Sequence, residues 1–338
     1  MGRPMRLPRA GHTFLDIFSA ARAGPPGSIQ FTPAQVEQIM RTVRRTPEVM
    51  VKVTGGGTHR DAVAAHLSYI SRKGQLEIET DEGEHIDKKA QQTLLKDWHL
   101  DLSPGQYRKA KDGKPPPRAV KLTHNIVLSM PRPTPPDKVL AAAKAFAREK
   151  FALKHRYALV LHTHQEHPHV HLVVKAEGAD GRRLHIDKAM LREWRQDFAR
   201  LMRAQGVAAN ATPRIVRGRN KGSAKDAVYR TQPSRSHALR ARVHSIATEL
   251  SETGTVADPA RATLVRTRKA VLAGWEGVAA TLDAQGQIEL AGDVRYFAKH
   301  LPPVLTDRER LAQDLIRHLR AQTKGPHAER DRPIERSR

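Results

Sequence analysis

The stretch "YALVLHTHQEHPHVHLVV" (Tyr157–Val174) decides the fold, because its pattern predicts two β-strands joined by a short turn. It also holds five of the chain's 18 histidines within ten consecutive residues. Four interpretations of this cluster compete: a metal site, a hydrolase-type base, a pH-sensitive patch and a low-complexity accident. The arrangement of the two predicted strands favours the metal site.

Side chains alternate across a β-strand, so the second strand has an aliphatic face and a histidine face. The aliphatic residues are Val170, Leu172 and Val174. A loop of six residues, 163–168, brings this strand back antiparallel and places His162 opposite His169. Three imidazoles on a rigid hairpin, with coordination positions left open, are a way to hold a catalytic divalent metal. We therefore predict that His162, His169 and His171 are metal ligands.

The charge balance of the chain indicates a polyanionic partner. Its 59 Lys+Arg against 35 Asp+Glu give a formal net charge of +24, and such an excess causes self-repulsion in a compact protein. Nucleic acid is the first candidate and an anionic membrane surface is the second. Because cysteine is absent, any metal must be bound by nitrogen and oxygen ligands.

The sequence offers no sign of membrane insertion or secretion. No apolar run approaches the roughly 20 residues that span a bilayer. The start, "MGRPMRLPRAGHTF", lacks the apolar core of a secretory signal. We therefore expect a cytoplasmic protein without a membrane span.

Composition divides the chain into five parts. We predict a basic N-terminal arm (1–47), an α+β domain (48–206), a basic linker (207–234), a mainly helical region (235–322) and a charged, disordered tail (323–338). The element order in the α+β domain is predicted as β-α-α-β-α-β-β-α, a sheet with helices packed on one face.

Two finer predictions concern the ends of elements. The helix after the "GGGT" turn is expected to begin with Thr58 as its N-cap and Asp61 in the capping-box position. In the helical region, a short strand is expected near "GQIELAG".

The segment "AHLSYISRKG" (Ala65–Gly74) places Tyr69 near the end of that helix, closely followed by Arg72 and Lys73. One interpretation is that the ring of Tyr69 packs on the sheet. The other is a phenolic nucleophile beside cations that hold phosphate. A free tyrosine has a pKa of about 10, so a nucleophilic phenol would need such cations and a metal that polarises the phosphate.

Several motifs occur in a fixed order: a "GGG" turn, "LSYISRKG", "THNIVLS" before a proline, and "HTHQEHPHVH" on a later hairpin. In this order they resemble the MOBP-class DNA relaxases, the mobilisation nucleases of conjugative plasmids. The resemblance covers about residues 48–206. It implies a five-stranded antiparallel sheet of the HUH-endonuclease kind, in which "QLEIET" (75–80) would supply the strand missing from our element order.

The resemblance also implies roles for individual residues. Tyr69 matches the nucleophile that attacks a phosphodiester of single-stranded DNA and keeps the 5′ phosphate as a phosphotyrosyl ester. The three histidines match a site for Mg²⁺ or Mn²⁺. Arg72 and Lys73 would contact DNA, as would Ser129 and His124, which match a motif near the DNA 3′ side.

One position departs from the family pattern. Many relaxases read H-x-D at the start of the histidine motif, whereas this chain has His162-Thr163-His164. The group that orients the first ligand or takes the proton of the tyrosine is therefore open among Glu166, His164 and, in a supporting position, His167.

The resemblance further implies the partners and the competing functions. Expected partners are plasmid DNA at a transfer origin, accessory proteins of the relaxosome and a type IV secretion coupling protein, with export of the protein together with its DNA. Two alternatives remain: a replication initiator of the HUH kind, and a non-enzymatic DNA-binding accessory protein with a structural metal. Initiators usually place the tyrosine after the histidine motif, so the order in this chain favours a relaxase.

Overall fold

A computed structural model describes residues 30–87, 90–100, 120–165, 167–219 and 237–323. The chain separates into two compact units, with a boundary between Thr212 and Pro213. The predictions for the N-terminal arm up to residue 29, for 220–236 and for the tail from 324 onward lie outside the described residues.

The first unit is an α+β domain, as predicted. Its described elements are α1 (Pro33–Val43), β1 (Met50–Gly55), α2 (Arg60–Ile70), β2 (Ile78–Thr80), β3 (His85–Ile86), α3 (Ala90–Asp97), β4 (Thr123–Ser129), α4 (Pro136–Phe151), β5 (Tyr157–His162), β6 (His169–Lys175) and α5 (Lys188–Ala204). Neighbouring strands pair antiparallel in the order β1-β4-β6-β5-β2-β3. The described part of the sheet therefore has six strands rather than five: β2 lies inside the predicted segment 75–80, and β3 is additional.

The central hairpin has the predicted register. His162 on β5 pairs with His169 on β6, and β4 lies on the other side of β6, with Ser129 opposite His169. The predicted alternation is also confirmed, because Val170, Leu172 and Val174 all contribute to one apolar core. We call that side of the sheet the aliphatic face and the opposite side, which carries the three histidines, the histidine face.

Helices cover both faces, so the prediction of helices on a single face is wrong. On the aliphatic face, α4 and α5 contribute a core of large side chains: Phe146, Phe151, Trp194 and Phe198. On the histidine face, α2 and α3 pack over one part of the sheet with Leu67, Ile70, Leu95 and Trp98, against Ala158, Val160 and Val173. The reason is visible in the strands themselves, where "ALVL" and "LVV" are continuous apolar runs typical of strands buried on both sides.

A close turn sets the position of α2. A Cβ atom on Gly56 would lie 2.1 Å from the carbonyl oxygen of Thr123, so only glycine allows the turn to approach β4 this closely. The helix then begins one residue later than predicted: His59 is the N-cap, and its side chain accepts a hydrogen bond from the backbone N–H of Ala62. The expectation of Thr58 as N-cap is therefore wrong, because an imidazole replaces the usual hydroxyl in that role.

The second unit is helical where it is described, with α6 (His237–Thr253), α7 (Ala260–Ala284), α8 (Ile288–Lys299) and α9 (Asp307–Thr323). The strand predicted near "GQIELAG" is wrong, since Gly286 lies in a left-handed turn (φ 76°) that separates α7 from α8. Residues 213–219 belong to this unit, and the indole N–H of Trp275 donates to the carbonyl of Val216 over 2.7 Å. None of the helices described here is long and apolar enough to cross a membrane.

Candidate metal centre and nucleophile

The three predicted ligands converge at the end of the β5–β6 hairpin. One nitrogen of each of His162, His169 and His171 can be chosen so that all three lie within 4.8 Å of one another. The centroids of the three rings are separated by 4.5–5.1 Å. The register of the hairpin produces this arrangement, because paired residues on adjacent antiparallel strands point to the same face.

Backbone carbonyls orient two of the three imidazoles. Nε2 of His162 lies 2.5 Å from the carbonyl oxygen of Ile70, in the last turn of α2. Nδ1 of His169 lies 2.9 Å from the carbonyl oxygen of His167. A carbonyl only accepts hydrogen bonds, so each of these ring nitrogens carries the hydrogen, and the other nitrogen is left with a free lone pair. Among the described residues, the carbonyl of Ile70 thus orients the first histidine of the motif.

The electrostatics of the cluster favour neutral imidazoles, the form that binds metals. Burial, together with the neighbouring His162 and His169, lowers the pKa of His171 to about 3. Burial is also the main reason why the pKa of His162 lies below its usual value. The chain has no cysteine, and three nitrogen donors fit a divalent cation whose other coordination positions stay open. The residues present therefore fit a divalent metal ion.

Tyr69 lies in the last turn of α2 and its side chain is 72% exposed. The interpretation in which its ring packs on the sheet is therefore wrong. The chain then turns sharply, with Arg72 (φ 53°) and Lys73 (φ 59°) in the left-handed region. The backbone N–H of Lys73 donates to the carbonyl of Ser68 over 2.7 Å. This turn places two cations directly after the tyrosine.

Of the other predicted site residues, Ser129 and His164 lie near the three histidines, whereas His124 lies on the aliphatic face. Ser129 is buried and pairs with His169 on the histidine face. His164 is exposed, and its ring centroid is 5.1 Å from that of His162. Desolvation, together with the positive charge of Arg72, lowers the pKa of His164. His124, by contrast, pairs with Val174 of the aliphatic face, and its Nε2 lies 3.1 Å from the carbonyl oxygen of Leu184.

His167 and Glu166 complete the predicted set. His167 supports the site through its backbone carbonyl, the hydrogen-bond partner of His169. Glu166 lies outside the described residues.

His66 was not among the site residues predicted from the sequence. Its ring centroid lies 6.4 Å from that of Tyr69 and 6.3 Å from that of His171, so it neighbours both the tyrosine and one of the candidate ligands. The available signal was its position three residues before Tyr69, since residues three apart on a helix are neighbours on its surface.

Fold and site together define an α+β domain of the HUH-endonuclease kind. Residues 69–207 match the family model described as "Relaxase: MobA/VirD2-like, nuclease domain". This part of the chain is therefore similar to the MobA/VirD2-like relaxase nuclease domain, which supports the resemblance noted in the sequence.

Individual relatives agree with the family match. The chain is 26% identical over 204 residues to the T-DNA border endonuclease VirD2 of Agrobacterium fabrum (strain C58), which covers 54% of this chain and 43% of that protein. The VirD2 protein of Rhizobium rhizogenes is 28% identical over 138 residues, covering 38% and 30% of the two chains. That of Rhizobium radiobacter is 26% identical over 192 residues, covering 51% and 43%. The matched part thus spans less than half the length of these curated relatives.

Proposed function

We propose that this protein is a DNA relaxase that nicks one strand at a plasmid transfer origin by metal-dependent tyrosine transesterification. The observation that carries the proposal is the exposed Tyr69, whose ring contacts His66, which in turn contacts one of three converging imidazoles. The similarity of residues 69–207 to a relaxase nuclease domain supports it.

The proposed reaction exchanges one phosphate ester for another. The phenolic oxygen of Tyr69 attacks the scissile phosphorus, the bond between phosphorus and the 3′ oxygen breaks, and the 3′ hydroxyl leaves with a proton. The 5′ phosphate stays on the tyrosine. Because the number of phosphoester bonds is unchanged, a 3′ hydroxyl can attack the phosphotyrosine and rejoin a strand. When bound, Mg²⁺ or Mn²⁺ would polarise the phosphate and stabilise its developing charge.

His162, His169 and His171 would hold that ion, with orientation supplied by the carbonyls of Ile70 and His167. Mg²⁺ prefers oxygen ligands and open positions for water and phosphate, and three ligands from the protein leave room for both. A softer transition metal would bind the same nitrogens more tightly. For the proton of Tyr69, the described candidate is His164 on the exposed rim, and Glu166 is the second.

The proposed DNA contacts start from the positive charge of the chain. Arg72 and Lys73 follow the nucleophile and would neutralise phosphates, which gives affinity independent of sequence. Ser129 lies beside His169, at the edge of the site. His124 faces the opposite side of the sheet, so a DNA contact from it would lie apart from the reacting phosphate.

The wider setting of the proposal is DNA transfer. The partners would be relaxosome accessory proteins and a coupling protein of a type IV secretion system, and the protein would act in the cytoplasm before export with its DNA. The relatives are T-DNA border endonucleases, which supports this setting.

The test is covalent capture of DNA. Purified protein is incubated with single-stranded DNA carrying its transfer origin and Mg²⁺ or Mn²⁺, and complexes that survive SDS are measured for wild type, Tyr69→Phe and Tyr296→Phe. Tyr296 is a matched control, because it is 68% exposed but lies in the second unit. We expect adducts from wild type and Tyr296→Phe and none from Tyr69→Phe. A wild type that captures no DNA in either metal would favour the DNA-binding accessory protein.

A further inference from the structure

His66 carries a polar atom without a function in the fold. Its Nε2 is buried and has no hydrogen-bond partner among the described residues. An unpaired buried donor or acceptor costs roughly 1–3 kcal/mol, and such atoms in native structures call for an explanation. The neighbouring histidines of the site differ in this respect, because His162 and His169 both have carbonyl partners.

The position of His66 suggests what its partner is. The ring stacks against Tyr69 with an interplanar angle of 27°, and it meets the ring of His171 edge-on at 70°. In the proposed reaction the scissile phosphate must reach both the tyrosine oxygen and an ion held by His171. Since His66 contacts both rings, a phosphate in that position would lie near it.

We propose that Nε2 of His66 donates a hydrogen bond to a non-bridging oxygen of the scissile phosphate, the one that does not bind the metal. This inference rests on the proposed function and adds a fourth histidine to its site, from helix α2 rather than from the hairpin. The metal and His66 would thus each stabilise a different oxygen of the same phosphate.

The chemistry of a neutral imidazole fits this role. A neutral imidazole has one N–H, and with Nε2 as the protonated nitrogen it donates a single hydrogen bond. A fixed donor aimed at an oxygen that gains charge stabilises the transition state without having to reorient during the reaction. The backbone position of His66 relative to Tyr69 is fixed, because both belong to the same helix, three residues apart.

The first experiment compares His66→Ala, His66→Gln and His59→Ala in the rate of adduct formation. His59 is a matched control: it is a histidine at the opposite end of the same helix, its side chain caps the N-terminus of α2, and it contacts neither Tyr69 nor the three histidines in any described ring contact. We expect His66→Ala to lower the maximal rate on the order of 10- to 100-fold with little change in DNA affinity, as for the loss of a hydrogen bond to a charged group. His66→Gln keeps an N–H donor and should recover part of the rate.

A second experiment separates phosphate contact from a packing role. The scissile phosphate is replaced in turn by its two phosphorothioate diastereomers, and rates are measured in Mg²⁺ and in Mn²⁺. Sulfur at the oxygen bound by the metal should slow the reaction in Mg²⁺ and be rescued by the softer Mn²⁺. Sulfur at the oxygen bound by His66 should slow wild type in both metals. That second effect should disappear in His66→Ala, whereas the first should remain.

The outcomes distinguish this inference from the function on which it rests. If His66→Ala slows all substrates equally and keeps both sulfur effects, His66 only packs beside Tyr69, and the phosphate contact is refuted. A rate equal to wild type would refute it as well. If wild type forms adducts through Tyr69 in either case, the proposed function stands. If wild type forms none, the proposed function fails, and this inference fails with it.

Discussion

The two faces of the sheet use the same strands for opposite purposes. On the aliphatic face, β4, β5 and β6 meet α4 and α5 in a continuous core that contains Phe146, Trp194 and Phe198. On the histidine face, one end of the β5–β6 hairpin is apolar at Ala158 and Val173, under α2 and α3, and the other end carries the three histidines. Two successive residues of β6, Val170 and His171, thus lie in the apolar core and in the candidate metal site, respectively.

This difference shows how a rigid site can be placed at a surface. The aliphatic face fixes the strands, and the histidine face uses their fixed register to hold three rings within contact of one another. Helix α2 ends at Ile70, whose carbonyl oxygen accepts a hydrogen bond from His162. The helix therefore covers the apolar part of the histidine face and ends beside the three histidines. If this division holds, stability and metal binding should respond to different substitutions.

The largest expected effect on stability comes from the aliphatic face. Phe146 is fully buried among Phe151, Trp194 and Phe198, and Phe146→Ala should lower the free energy of unfolding by about 3–5 kcal/mol through lost burial and a cavity. Chemical denaturation measures this loss. The affinity for Mn²⁺ of the folded fraction should stay within about threefold of wild type; a larger loss would mean that the two faces are not independent.

The opposite result is expected for His171→Ala. Removing one of three ligands should weaken Mn²⁺ binding by roughly 100-fold or more, since even the loss of an outer partner of a ligand costs about 10–100-fold. Isothermal titration calorimetry at pH 7.5 measures it. His124→Gln is the matched control, because this histidine lies on the same sheet but on the aliphatic face. Equal losses from the two variants would contradict the placement of the metal.

A smaller effect is expected at the turn that follows the nucleophile. Arg72→Ala should reduce the slope of log affinity for single-stranded DNA against log salt concentration by about 0.7, the value for one phosphate contact. Fluorescence anisotropy between low and moderate salt measures the slope. An unchanged slope would show that the guanidinium does not contact the DNA backbone, although its charge contributes to the lowered pKa of His162 and of His164.

The smallest effect concerns pH. Burial, with help from Lys121 and Arg183, lowers the pKa of His124 below its usual value, despite the opposing hydrogen bond to Leu184. The imidazole of His124 therefore binds a proton more readily in the unfolded chain than in the folded one. Its contribution to the free energy of unfolding is complete above about pH 6.5 and is lost as the pH falls below that value. Denaturation of His124→Gln between pH 8 and pH 5 should show a slightly flatter decline than wild type. A steeper decline in the variant would reverse the sign of the shift.

Local pattern was sufficient to predict the centre of the molecule. Alternation and the six-residue loop predicted that His162 lies opposite His169, and the register confirms it. The order of motifs gave the resemblance that implied an antiparallel sheet and a relaxase nuclease domain, and the topology and the family match support it. The register was predictable because strand periodicity and a short turn determine which residues meet, with little influence from distant parts of the chain.

Features that depend on contacts between distant segments were not predicted. The carbonyl of Ile70 has no sequence signature, so its bond to His162, 92 residues away, appears only in the folded chain. Helices on both faces were not predicted, because Val160 and Val173 share a face with the histidines and only the folded chain brings α2 and α3 over them. At "GQIELAG", the alternating pattern suggested a strand, but packing of Leu290 and Ala291 with α7 favoured a helix.

The most direct test of the central claim is to identify the residue that carries the DNA. Wild-type protein is trapped on its transfer origin, digested with nuclease and trypsin, and analysed by mass spectrometry. The account predicts a nucleotide phosphate on the peptide "DAVAAHLSYISR" (61–72), in which Tyr69 is the sole tyrosine. An adduct on a peptide containing Tyr157, which is buried on the aliphatic face, or on any other residue outside 61–72, would contradict it.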